Sequence, residues 1–201
     1  GTIYFAESLD RFAQNLRFTK PTLFMAVPRI WTKFQLGILE RLPQKKLDIF
    51  LKIPILSGLI KKKIITGLGL DKANILLTGA APTPDVLKEW YKRIGIVIQE
   101  VYAQTENCGG CTLMPFARVK SGTVGVALPD VEIRIDPDNG EVVTRSPWTM
   151  MGYYKAEDKT KEVLRDGWLY SGDQGGLDAE GYLRITGRVA DTFKSAKGKF
   201  I

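Results

Sequence analysis

A chain of 201 residues that is 44% hydrophobic can bury a core, and by size it forms one domain or two small ones. It contains no histidine, which excludes a Ser-His-Asp triad, a Cys-His pair and any His-ligated metal within it, and with them most hydrolase chemistry. Lys and Arg outnumber Asp and Glu 29 to 22, a net charge of +7 that suits nucleic acid, an anionic membrane face or a nucleotide without choosing among them.

The first predicted element is an amphipathic helix over residues 8–18, with Leu9, Phe12, Ala13 and Leu16 at helical spacing and Ser8 placed to cap it. Residues 22–27 are a continuous apolar run closed by Pro28, the pattern of a buried strand, and helical spacing resumes over 29–41. Residues 45–70 mix Leu and Ile with lysines, including Lys61-Lys62-Lys63, and Pro54 divides them. Such a basic helical stretch is usually the solvated side of a core-packed helix; peripheral membrane contact is the minor alternative.

Residues 74–78 read as a strand running into Gly79-Ala80-Ala81-Pro82, followed by a helix over 84–94 and a strand over 96–102. That order predicts a βαβ unit with parallel strands, and ligands of open parallel sheets sit beyond the carboxyl ends of the strands. Here those ends are Gly79-Ala80-Ala81-Pro82 and Tyr102-Ala103-Gln104-Thr105-Glu106. After about residue 120 the texture changes to short alternating runs at 131–135, 140–145 and 181–185, with a hairpin signal at Asp136-Pro137-Asp138-Asn139-Gly140. The expected fold class is α/β: a parallel-sheet subdomain with flanking helices (1–119), then a smaller β-rich, barrel-like subdomain (120–190) and a polar joint at 191–201.

No segment has a chain of apolar residues near the ~20 needed to span a bilayer, and Gly1-Thr2-Ile3 lacks the basic opening of a signal peptide, so a cytoplasmic, soluble protein is expected. The first residue is not Met and residues 198–201 carry no terminating signal, so both ends are expected to be cuts. No aromatic-basic RNA motif appears, which disfavours nucleic acid as a partner. Cys108 and Cys111 form C-x-x-C in a Gly-rich stretch, without the further ligands of a zinc site or the strand-helix context of a redox pair; they are expected to be incidental small buried residues.

Three segments could carry chemistry. Tyr102 to Glu106 supply an aromatic face for a base, a hydroxyl for a phosphate oxygen and a carboxylate for Mg²⁺, although a core Tyr before a helix start is the commoner meaning of such a pentapeptide. Asp173, between Gly172 and Gln174-Gly175, could accept from a ribose diol, or sit in an ordinary hairpin turn. Arg188, in Gly187-Arg188-Val189-Ala190-Asp191, could meet an anion, or belong to a charged turn.

Taken in order, these segments resemble the adenylate-forming superfamily of acyl-CoA synthetases, luciferases and peptide-synthetase adenylation domains. Gly79-Ala80-Ala81-Pro82 resembles its small-residue turn beside adenine, Tyr102 to Glu106 its Tyr-Gly-x-Thr-Glu motif, and residues 140–154 (GEVVTRSPWTMMGYY) its Gly-Glu…Arg-x-Pro…Met-x-Gly-Tyr motif. Residues 167–173 and 187–191 resemble the two motifs that end the large N-terminal domain. Residues 3–8, 27–31 and 193–200 are most similar to long-chain fatty acyl-CoA synthetases. One departure is Ala103 where the family has Gly, a methyl that would crowd a phosphate unless the backbone accommodates it.

The resemblance implies that Gly79, Ala80, Ala81 and Pro82 lie beside adenine, that Tyr102 stacks on it, and that Ile185 is among the nucleotide-binding residues. Thr105 would contact the α-phosphate, Glu106 would hold Mg²⁺, Asp173 would take the ribose hydroxyls and Arg188 the ribose or phosphate. Asp191 would be a hinge. The implied reaction joins a fatty acid to ATP as acyl-AMP and passes the acyl group to CoA; a carrier-protein acceptor and a non-catalytic nucleotide-binding module are the alternatives, and a homo-oligomer stays open. The family's phosphate loop and its lysine-bearing C-terminal domain would lie outside residues 1–201, so these residues alone are expected not to turn over.

Overall fold

The computed structural model describes residues 1–8 and 10–191. The chain divides into two compact units, Gly1–Gln99 and a second from Glu100 on. This division precedes the change in sequence texture near residue 120: Val101 and Tyr102 already pair antiparallel with Thr112 and Leu113, which pair in turn with Val126 and Ala127.

In the first unit the order is α1 (Phe12–Thr19), β1 (Leu23–Ala26), α2 (Pro28–Arg41), α3 (Gln44–Lys52), α4 (Pro54–Leu68), β2 (Ile75–Thr78) and α5 (Asp85–Arg93). The opening helix starts later than its spacing predicts. Ser8 Oγ accepts from the Arg11 N–H at 3.2 Å, ahead of the helix, and Glu7 is tied to Asn15 and Arg11, which folds the approach back along α1. Leu9 lies outside the described residues. Prolines mark the starts of α2 and α4, where the missing N–H costs nothing. Gly69 closes α4 at φ 78°, where a β-carbon would stand 2.6 Å from the Arg17 backbone, so both the cap and the close approach require glycine.

Strands β1 and β2 are parallel, with Leu23 opposite Ile75 and Ala26 opposite Thr78. The apolar run of β1 predicts burial on both faces, but Phe24 is buried while Leu23 and Met25 are exposed. The core lies on the Phe24 side. Trp31, fully buried, meets Phe24 and Tyr91 edge-on at 5.4 and 5.2 Å, and its indole N–H is shared by the carbonyls of Ala26 and Leu77, both at 3.2 Å. The Tyr91 hydroxyl donates to the Trp31 carbonyl at 2.6 Å, so the polar atoms of this aromatic core are satisfied. Residues 96–98 are not in a strand as expected, although Ile96 and Ile98 are buried.

β3 (Gln99–Tyr102) begins on the last residue of the first unit, and the second continues with a 3-10 turn (Thr105–Asn107), β4 (Thr112–Leu113), β5 (Val126–Ala127), β6 (Glu132–Ile135), β7 (Glu141–Arg145), α6 (Glu157–Val163), β8 (Leu164–Arg165), β9 (Trp168–Leu177) and β10 (Leu183–Arg188). Antiparallel pairing joins β3 to β4 and β4 to β5. A second antiparallel sheet has the order β10-β9-β7-β6, with β8 on β9. The Asp-Asn-Gly signal closes the β6–β7 hairpin, with Gly140 at φ 72°. Where β4 and β5 approach, Gly125 at φ 94° leaves room that a β-carbon would lose, since it would fall 2.2 Å from the Leu113 carbonyl carbon.

Candidate active site

In the second unit, Asp173 does not occupy a hairpin turn, as its glycine neighbours suggest. It lies inside β9, opposite Arg188 on β10, next to a register shift between Ile185 and Gly187. The local irregularity is Gly172 at φ 72°. Its effect is to turn the Asp173 carboxylate, only 7% exposed, towards the end of β3.

Three donors converge there. The Tyr102 hydroxyl donates to Oδ2 at 2.7 Å, Gln104 Nε2 donates to the same oxygen at 2.9 Å, and Arg188 Nε stands 3.0 Å from Oδ1. Burying a carboxylate is costly unless it is paired and hydrogen-bonded, and these three donors do both. Burial first, and then the hydrogen bond to the Asp173 anion, hold the Tyr102 phenol well above the usual tyrosine range. Gln104 Nε2 also donates to the Ser171 carbonyl at 2.9 Å, while its backbone N–H donates to Asn107 Oδ1 in the capping box of the 3-10 turn. One side chain therefore ties the Tyr102 segment to the Asp173 segment.

Thr105 opens that 3-10 turn and is exposed, and Glu106 is half-buried beside it. The Tyr153 hydroxyl donates to Glu106 Oε1 at 2.8 Å, which raises the phenol's pKa, and the Met150 N–H donates to the Glu106 carbonyl at 2.8 Å. A cavity of about 160 Å³ opens between these elements, lined by Gln104, Glu106, Glu141, Tyr153 and Ser171 among others. Glu141 shapes its floor: one of its oxygens accepts the Gly172 N–H at 2.7 Å.

The structure thus brings together Tyr102, Asp173 and Arg188, with Glu106 one 3-10 turn further on. Ile185 is half-buried on β10 opposite Gly175, and Asp191 ends the exposed 3-10 turn after β10 (Val189–Asp191). Gly79, Ala80, Ala81 and Pro82 belong to the first unit, as the loop after β2; it is anchored by the buried Thr78–Thr83 hydroxyl pair at 2.9 Å and carries Ala80 at φ 64°. Residues 193–200 lie outside the described residues. Gln104 and Tyr153 were not singled out by sequence reasoning, although both fall inside motifs it quoted; an amide following a strand end and a tyrosine in a Gly-Tyr-Tyr run are the available signals.

Ala103 has a negative φ, so the backbone accepts its methyl without strain. Of the two cysteines only Cys111 is buried, with its thiol pushed up to about 12 by burial, while Cys108 is exposed at φ 51°; the expectation that both are buried is corrected by the 3-10 turn, which ends on Cys108 and turns it outward. Among the described residues no three His, Cys, Asp or Glu side chains are grouped so as to hold a metal by themselves, and no helix is long and apolar enough to cross a membrane.

Long chain acyl-CoA synthetase 2 of Arabidopsis thaliana is 31% identical to the chain over 98% of its length, and the match covers 35% of that relative. The chain spans about a third of the length of the curated relatives it matches. In structure it is similar to o-succinylbenzoate CoA synthetase from Bacillus subtilis in complex with its acyl-adenylate intermediate, with a TM-score of 0.71 at 24% identity over 96% of the chain and 36% of that structure. It is also similar to the inhibitor-bound N-terminal domain of FACL13 from Mycobacterium tuberculosis, with a TM-score of 0.63 at 24% identity over 89% of the chain and 41% of that structure. These likenesses establish the fold as that of the N-terminal domain of adenylate-forming enzymes. The sequence model described as AMP-binding enzyme matches residues 1–154, and the chain accordingly belongs to the AMP-binding enzyme family.

Proposed function

We propose that this chain supplies the adenosine half of the active site of a cytoplasmic AMP-forming ligase that activates a fatty acid with ATP and transfers the acyl group to CoA. The observation that carries the reading is the buried Asp173 carboxylate, held by Tyr102, Gln104 and Arg188. Such an anion is aimed and prepaid for hydrogen-bond donors, and a ribose diol offers two.

The roles follow from position. Asp173 accepts from the ribose hydroxyls on Oδ1, where Arg188, with 60% of its side chain exposed, can move from carboxylate to nucleotide oxygen. Tyr102 presents its ring to adenine while its hydroxyl keeps Asp173 oriented, and Ile185, on β10 of the same unit, belongs to the nucleotide-binding set. Thr105, exposed at the start of the 3-10 turn, donates to the α-phosphate. Glu106, a single hard carboxylate whose other constraint is the Tyr153 hydroxyl, fits a magnesium ion that arrives with the triphosphate, since Mg²⁺ takes one or two protein carboxylates and the rest from phosphate and water. When bound, that ion neutralises charge on the phosphate oxygens. Attack of a carboxylate on phosphorus needs positioning and charge neutralisation rather than a protein nucleophile, so the lack of histidine is no obstacle. Asp191, at the end of the 3-10 turn after β10, acts as the hinge to the domain that follows in the family.

Titration of the chain with a non-hydrolysable acyl-AMP analogue tests this directly. Saturable binding is expected, weakened by about 1.5–3 kcal/mol in Asp173→Ala and by a similar amount in Tyr102→Ala, with far-ultraviolet circular dichroism unchanged. Unchanged binding by both folded variants would refute the site. In the whole protein, product analysis with CoA against a carrier protein decides the acceptor.

A further inference from the structure

Residues 41–70 hold seven Lys and Arg against one carboxylate, Asp48, a net +6 out of the chain's +7. That carboxylate is consumed inside the first unit: it accepts from Gln44 at 2.8 Å and pairs with Arg93. Lys45, Lys46, Lys62 and Lys63 are exposed and make no ion pair among the described residues.

The same two helices expose aliphatic side chains. Ile49 is 57% exposed, Ile53 47%, Ile55 83% and Leu59 62%. Leu47, Ile60, Ile64 and Ile65 already bury the inner faces of α3 and α4, so the exposed four are surplus to the core. On α4, Ile55, Leu59, Lys62 and Lys63 follow at i, i+4, i+7 and i+8, one stripe that begins apolar and ends basic. On α3, Lys45, Ile49 and Lys52 share a stripe in the same way, and Ile53 joins the two helices.

We infer that the outer face of α3 and α4 docks on the surface of a lipid bilayer containing anionic lipid, with Ile49, Ile53, Ile55 and Leu59 entering the interface and the lysines lying among the headgroups. The chemistry favours lipid over protein. Protein interfaces are depleted in Lys and enriched in Arg and aromatic residues, whereas every cation from residue 45 to 63 is Lys and the apolar group is entirely aliphatic. Lysine stems extend along apolar surface while their ammonium groups stay in water, the posture an interfacial helix needs.

Vesicle flotation of the chain tests the inference. With about 30% phosphatidylglycerol in phosphatidylcholine the chain floats, and raising the salt to about 0.5 M releases it; with phosphatidylcholine alone it stays in solution. Lys62→Gln together with Lys63→Gln lowers the partition coefficient about thirtyfold, at roughly fivefold per lysine. Ile55→Ser together with Leu59→Ser lowers it as well, and because all four side chains are exposed the circular dichroism spectrum is unchanged in both variants. Three results overturn the inference: a folded chain that stays in solution with anionic vesicles, equal binding to both lipid compositions, or variants that float like the parent. Self-association in sedimentation velocity that Ile55→Ser and Leu59→Ser abolish, without vesicle binding by the parent, would instead assign the face to a second copy of the chain and overturn it too. Nucleotide binding does not enter the assay, so the outcome is independent of the adenosine site.

Discussion

The Tyr102 hydroxyl and the Asp173 Oδ2 atom, 71 positions apart in sequence, are joined by a 2.7 Å hydrogen bond. Because the acceptor is a buried anion, losing the donor costs more than an average hydrogen bond. Tyr102→Phe keeps the ring and is expected to cost about 1.5–3 kcal/mol in stability, read by chemical denaturation. Its affinity for an acyl-AMP analogue should fall less than that of Tyr102→Ala, which loses the stacking surface as well. Equal losses in the two variants would leave no role for the ring.

Ala80 offers a test in the first unit. It sits at φ 64°, a conformation that costs an L-residue about 1–2 kcal/mol and glycine nothing. Against this stands glycine's larger entropy in the unfolded chain, about 0.5–1 kcal/mol. Ala80→Gly should therefore be neutral to stabilising by about 1 kcal/mol, seen as a small rise in Tm, where Gly-for-Ala exchange elsewhere lowers it.

Thr144 on β7 is 2% exposed, and its Oγ1 atom is buried without a hydrogen-bond partner. Thr144→Val replaces that hydroxyl with a methyl of nearly the same size and removes the desolvation cost. A gain of about 1 kcal/mol is expected in urea unfolding. A loss would show that the hydroxyl is satisfied in solution.

Alkaline pH should unfold the protein through its buried phenols. Tyr91 and Tyr102 both have pKa values raised above the ordinary value of 10.0, in each case first by burial. Above pH 10 the unfolded state binds fewer protons than the folded state, so stability, fully present below that pH, falls as pH rises. Absorbance at the tyrosinate band should show the exposed phenols ionising reversibly first, with Tyr91 and Tyr102 ionising only together with loss of circular dichroism.

Much of this was legible in the sequence. Helical periodicity located α2, and the Pro and Asp start signals located α5, each to within a residue or two; Pro54 marked the break between α3 and α4, and Asp136 to Gly140 the hairpin. What the sequence hid was what faces what. The apolar run of β1 could not reveal that one face stays exposed, because a run without alternation reads the same whether one side or both are covered. Asp173 read as a turn because glycines at 172 and 175 signal turns as readily as strand irregularities; only pairing with β10 distinguishes them. Gln104 and Tyr153 were invisible for another reason: their partners, Asp173 and Glu106, lie 69 and 47 positions away, and no local pattern encodes such a contact.

The four tryptophans divide evenly between the two units. Trp31 and Trp90 are sealed in the aromatic core of the first, while in the second Trp168 lies between the guanidinium groups of Arg134 and Arg145, at 4.2 and 4.7 Å, and Trp148 donates to the Gly110 carbonyl at 2.8 Å. Intrinsic fluorescence is therefore a mixture of two signals with different surroundings. Replacing Trp148 and Trp168 with Phe would leave emission from the first unit alone, and replacing the other pair would isolate the second. The two halves of the chain carry their own optical labels, so whether they melt in one transition or two can be read from light without attaching a dye.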